Sequence, residues 1–171
     1  MGRARIGALI LVVVAGACSQ TEVERDSPVL GAWEVIEMQL GEGEAPNSAA
    51  SVQPGQFIFG PTRYSAVWVT QTAPRPVSTT PWEPTDEEIV GFFRSVAANS
   101  GTYDIDGTRL TIRPLVAKLP DIVGGYVTYE FRLEADLLFL EAVDEESGGR
   151  VKPPDYDSAR EFLTLRRVEA L

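Results

Sequence analysis

The 171-residue chain contains no histidine and a single cysteine. Without an imidazole there is no Ser-His-Asp or Cys-His nucleophilic site and no His-ligated zinc. A general acid or base would have to be Asp, Glu, Tyr or Lys. One thiol cannot close a disulfide within the chain, even in a compartment that permits one. Positive charge is also scarce, with 15 Lys and Arg against 25 Asp and Glu. So acidic a chain repels phosphate backbones, which argues against nucleic acid as a partner. The apolar run 6–14 is too short to cross a bilayer as a helix.

That run sits in a three-part leader. Arg3 and Arg5 precede it, and the small residues Ala15-Gly16-Ala17 follow it. Positive, apolar and small segments in that order mark a secretory signal. Cys18 comes directly after the small residues. The arrangement resembles the bacterial lipoprotein signal, whose terminal cysteine is acylated and becomes the new N-terminus. Ala15 stands where the best-matching signals carry Leu. The resemblance implies a signal peptide at 1–17, then an acylated Cys18 and a tether over 18–29. Palmitate-type chains would hold the protein at the membrane, since more than one chain makes attachment stable. Ser19, in place of the Asp that retains Gram-negative lipoproteins at the inner membrane, points to the outer membrane, facing the periplasm. Losing Arg3 and Arg5 leaves 13 basic residues against 25 acidic, a charge near −12. The anchor, not a basic patch, would then make the membrane contact.

From residue 30 the chain shows short apolar or alternating runs separated by turn residues, the pattern of an antiparallel β protein. Eight strands are predicted: 31–40, 55–60, 63–70, 101–106, 108–113, 126–133, 137–143 and 161–168. Asp106-Gly107 is a two-residue hairpin signal. The segments 60–62 and 134–136 are nearly as tight. Short links between consecutive strands favour an up-and-down meander, and closing it removes the exposed edges. One segment is helical. Ile89, Phe92, Phe93 and Val96 have helical spacing, Thr85 and Glu88 form a capping box, and Gly101 can end the helix. A helix over about 85–98, apolar on one face, is expected to lie across the barrel. The stretches 41–54, 71–84 and 144–160 read as long loops. The fold class is therefore all-β with one helix, an eight-stranded antiparallel up-and-down barrel occupying 30–169.

Gly31-Ala32-Trp33 opens the first strand, and Arg166 and Arg167 lie near the end of the last. This pairing resembles the lipocalin and fatty-acid-binding barrels. The resemblance implies that Trp33 plugs the closed end and that an arginine packs across its ring. Leu163 and Leu165 should point inward, so alternation favours Arg167 over Arg166. The order of motifs resembles the bacterial lipocalin-like domain family more closely. A G-x-W strand is followed by "FIFGPTRYSAVWV", Arg75-Pro76, a helix, and the hairpin Gly101-Thr102-Tyr103-Asp104-Ile105-Asp106-Gly107. Members of that family often carry a histidine after the hairpin, which this chain lacks.

An eight-stranded barrel is either filled by its own side chains or just wide enough for one small ligand. Phe57, Phe59, Tyr64, Trp68, Tyr103, Tyr129 and Phe131 are the pocket candidates. They either fill the core or line a cavity in which tyrosine hydroxyls orient an apolar ligand. Arg113 reads as solvent-facing, with a carboxylate-binding role as the alternative, and Arg75 is a weaker candidate for that role. Asp104, Asp106, Asp144, Glu145, Glu146, Asp155 and Asp157 lack calcium-loop spacing and read as turn and solvated residues. No catalytic residue, metal or cofactor is assigned.

The leading expectation is a monomeric, membrane-anchored lipocalin-like lipoprotein without enzymatic activity, binding a small hydrophobic ligand or lipid in the cell envelope. One alternative is a barrel-type isomerase or cyclase, which requires an inward carboxylate such as Glu130 or Glu37 with a raised pKa. Another is a filled barrel that serves as a structural or assembly partner through its loops.

Overall fold

The computed structural model describes residues 27–40, 53–71, 73–149 and 161–169. The leader, Cys18, most of the tether, and Asp155 and Asp157 lie outside the described residues. Eight antiparallel strands, each paired with the next in sequence, close into a barrel when the last meets the first. They are β1 (Gly31–Leu40), β2 (Gly55–Phe59), β3 (Arg63–Val69), β4 (Val96–Asp106), β5 (Arg109–Ala117), β6 (Tyr126–Glu134), β7 (Leu137–Glu146) and β8 (Glu161–Glu169). Among the described residues one helix, α1 (Asp86–Arg94), precedes β4, and a single 3-10 turn at Pro120–Ile122 follows β5.

The links divide by length between the two ends. At one end lie 60–62, 107–108 and 135–136, with the start of β1 and the finish of β8. All the long connections leave from the other end. Turn chemistry explains the tight end. Gly107 has φ +61, which suits the two-residue link between Asp106 and Arg109.

Alternation sorts side chains between lumen and solvent. Val35, Phe57, Phe59, Tyr64, Leu110, Ile112, Leu138, Leu140, Leu163 and Leu165 form the buried core. The outer positions carry Glu34, Gln56, Ser65, Asp104, Arg113, Glu130, Arg132 and Arg166. A polar outside and an apolar inside is the reverse of a membrane-spanning barrel. Four register shifts bend the sheet into closure, at Ala32/Trp33, Val35/Glu37, Ser100/Gly101 and Thr128/Tyr129. At the third, a Cβ on Gly101 would stand 1.9 Å from the Arg113 carbonyl oxygen, so only glycine fits there.

The helical segment differs from the sequence expectation. The capping box at Thr85 and Glu88 is present, but α1 stops at Arg94, with Ser95 as its cap. Residues 96–98, expected in the helix, instead open β4, which runs on through 99–100, and Gly101 lies within that strand. Pairing with β3 along its whole length overrides local helix propensity here. No residue of α1 is buried, and Ile89, Val90 and Phe93 remain exposed. The helix sits beside the long-loop end without inserting its apolar face into the barrel. Val29, read as the end of the tether, is fully buried instead.

Candidate functional site

The tight end is sealed from the first strand outward. Trp33 is fully buried, and its indole Nε1 donates to the Val29 carbonyl at 2.8 Å. The Arg167 guanidinium lies 4.1 Å from the Trp33 ring centroid. It also donates to the carbonyls of Leu30 and Pro28, which ties the chain entering β1 to the finish of β8. A cation over a desolvated ring, holding two carbonyls, makes a stiff plug. Arg166 points the other way and pairs with Glu34 at 2.8 Å on the exposed face. Above the plug, Phe59 meets Tyr103 edge-on at 5.2 Å, and the Tyr103 hydroxyl donates to the Gly60 carbonyl at 2.7 Å. Tyr103 is thereby committed to the floor.

The aromatic layer continues towards the long-loop end. Phe57 stacks on Phe59 at 6.2 Å and on Trp68 at 5.4 Å. Tyr64 stands 6.4 Å from Phe59, and its hydroxyl donates to Asn99 Oδ1 at 2.6 Å. Tyr129, on β6, donates to Glu161 Oε2 at 2.9 Å. The Trp68 indole Nε1 is buried with no hydrogen-bond partner. All seven pocket candidates face the lumen. Phe57, Phe59, Tyr64, Trp68, Tyr103 and Tyr129 are buried, and Phe131 is partly buried against them.

Among the described residues, the charged groups that face the upper lumen are acidic. Glu161 opens β8 in phase with Leu163 and Leu165, and Glu145 of β7 is in register with inward-facing Val127. Burial pushes the Glu161 carboxyl up to about 7. The Tyr129 hydrogen bond opposes that shift, and the charge of Glu145 adds to it. Burial also raises the hydroxyls of Tyr64 and Tyr129, so both remain protonated donors. The carboxylates named from the sequence lie elsewhere. Glu130 is exposed and reached by the Thr108 hydroxyl, while Glu37 accepts from Thr164 on the outer face. Neither meets the condition set for the enzyme alternative, because Glu130 is out of phase with Tyr129 and the register shift after Val35 turns Glu37 outward.

The arginine candidates are placed away from the lumen. Arg113 pairs with Asp104 on the exposed surface. Arg75 donates to Ser95 Oγ at 2.9 Å, pinning the proline-rich segment to the end of α1. Among the described residues no three carboxylates gather as a cation site.

Two lumen residues escaped the sequence reading, Asn99 and Glu161. Asn99 falls between the helix expected to about 98 and the strand expected from 101. Once that segment is a strand, Ala97, Asn99, Gly101 and Tyr103 share one face. Glu161 was legible in principle, since the alternation that turns Arg167 inward also turns Glu161 inward.

No curated protein matches the chain. The family model for the lipocalin-like domain matches residues 30–168. With its plugged floor, its eight-stranded meander and that match across most of its length, the chain belongs to the lipocalin-like domain family.

Proposed function

We propose that this protein is a monomeric, lipid-anchored carrier of the cell envelope, tethered through Cys18 at the outer membrane with its barrel in the periplasm. A small apolar molecule would enter from the long-loop end. The observation that carries the ligand-binding part is the graded inner wall. A sealed aromatic floor leads to a few convergent polar groups, Tyr64, Trp68 and Tyr129, the usual composition of a small-molecule site. The anchor rests on the leader, where Cys18 follows Ala15-Gly16-Ala17.

Both parts can be tested on the full chain expressed in a Gram-negative host. The N-terminal peptide should carry acyl mass on Cys18 and fractionate with the outer membrane. Cys18→Ala should lose both; an unmodified N-terminus in the wild type rejects the anchor. Purified protein should release a consistent apolar compound on solvent extraction or take up an added fluorescent fatty alcohol. A barrel that does neither is a filled one.

A second reading draws on one observation, the inward Glu161 hydrogen-bonded by Tyr129. A carboxyl poised near 7 beside a protonated tyrosine is suited to moving a proton on an apolar substrate, as an isomerase or cyclase does. Turnover of the extracted compound that vanishes in Glu161→Gln while binding persists would establish it. Identical turnover in that variant rejects it.

A further inference from the structure

Among the described residues, the charge inside the barrel has the wrong sign for a fatty-acid carrier. Arg167 is occupied by Trp33 and by the carbonyls of Leu30 and Pro28. Lys118 donates to the carbonyls of Phe93 and Val96 outside the lumen. Every other described arginine lies exposed. No described cation is therefore offered to a carboxylate head. Glu161 does face the lumen, held by the Tyr129 hydroxyl at 2.9 Å, with Glu145 in the adjacent strand on the same side.

A second, independent feature points to a ligand. Trp68 is only 8% exposed, faces the lumen from β3, and its Nε1 has no acceptor. An unmade hydrogen bond at a buried donor is costly, so such a group is usually met by a ligand or by water. The strand order places Trp68 across the lumen from β7 and β8. A molecule spanning the barrel would meet a donor on one wall and an acidic acceptor on the other.

Building on the carrier reading, we propose that the barrel selects apolar molecules that end in a basic amine and rejects fatty acids. The ammonium group sits on Glu161 beside the Tyr129 hydroxyl, and a polar acceptor elsewhere in the molecule meets Trp68 Nε1. The complementary charge acts in a desolvated site, where a charge-assisted hydrogen bond is roughly twice as strong as a neutral one. Among the described residues, the titratable groups that act on Glu161 are Tyr129 from β6 and Glu145 from β7, and Tyr64 of β3 acts in turn on Tyr129. Because a raised carboxyl is neutral below its pKa, amine binding strengthens as pH rises through about 7.

The test compares decylamine, decanol and decanoate, which share one tail and differ in the head, by isothermal titration with the full chain. At pH 8 the amine should bind about tenfold tighter than the alcohol, with the acid weakest, the gain expected of one charge-assisted contact. At pH 5 the amine should fall to the level of the alcohol. Glu161→Gln should erase the preference at both pH values. Tyr129→Phe, which keeps the ring in the core, provides an independent readout. It removes the hydrogen bond that stabilises the carboxylate, so the pH midpoint of amine binding should move up. Decanoate binding as well as the amine, or an amine preference unchanged in Glu161→Gln, overturns the proposal while leaving a carrier in place. Failure of all three ligands to bind overturns the carrier reading with it.

Discussion

Arg166 and Arg167 are adjacent in sequence, yet they sit in opposite environments. Arg167 covers Trp33 and holds two backbone carbonyls, whereas Arg166 forms an exposed pair with Glu34. Arg167→Ala should cost about 2–3 kcal/mol, from the lost ring contact and the carbonyls left without a donor. Arg166→Ala should stay within about 0.5 kcal/mol. Urea unfolding of the two variants checks this, and equal losses would refute the plug. Glu161 makes the opposite kind of contribution. Its folded pKa of about 7 lies above the ordinary 4.5, so the native state binds the extra proton between those values. Stability conferred by that proton is full below about 4.5 and is lost as pH rises through 7. The whole shift corresponds to ~3 kcal/mol, and partial exposure of the residue screens it to about 2 kcal/mol. Glu161→Gln should therefore melt higher than the wild type at pH 8 and nearly with it at pH 5. A melting-temperature difference independent of pH would contradict the burial of this carboxyl.

Among the elements, α1 is the one the barrel does not hold. Its order is local. The Glu88 carboxylate accepts from the Thr85 backbone and from the Thr79 backbone and hydroxyl, which keeps its pKa at about 2, while Thr85 caps the first turn. Thr85→Ala should destabilise the helix by about 1 kcal/mol. None of its residues is buried, so the global melting temperature should barely move while amide exchange over 86–94 accelerates. A fall in barrel stability comparable to that of a core variant would show α1 to be part of the cooperative unit. The capping box was legible because its partners lie three residues apart. The far end of the segment was not. "SVAANSG" has neutral local preferences, and only the β3 ladder decides that residues 96–101 are extended.

At the scale of the molecule, closure depends on the two ends of the described chain. β8 fills the gap between β7 and β1 and delivers Leu163 and Leu165 to the core. Ending the chain after residue 160 should leave two open strand edges and half a floor, since Arg167 leaves with it. That variant should show no cooperative unfolding transition by circular dichroism and should bind hydrophobic dyes. A sharp transition would mean that seven strands suffice.

The sequence alone determined the strand count, the tight turns and, where alternation runs unbroken as in Leu163, Leu165 and Arg167, the side that faces the core. These are properties of period-two alternation and of turn residues acting over a few positions. It also determined which chemistries are absent, because a missing side chain stays missing in any fold. Tertiary structure decided the rest. Register shifts turned Glu37 outward, long-range pairing turned 96–98 from the expected helix into strand, and the order and register of the strands brought Tyr129 of β6 to Glu161 of β8 and Tyr64 of β3 to Asn99 of β4. Contacts between residues more than thirty positions apart depend on the sum of every register between them, and no local pattern encodes that sum.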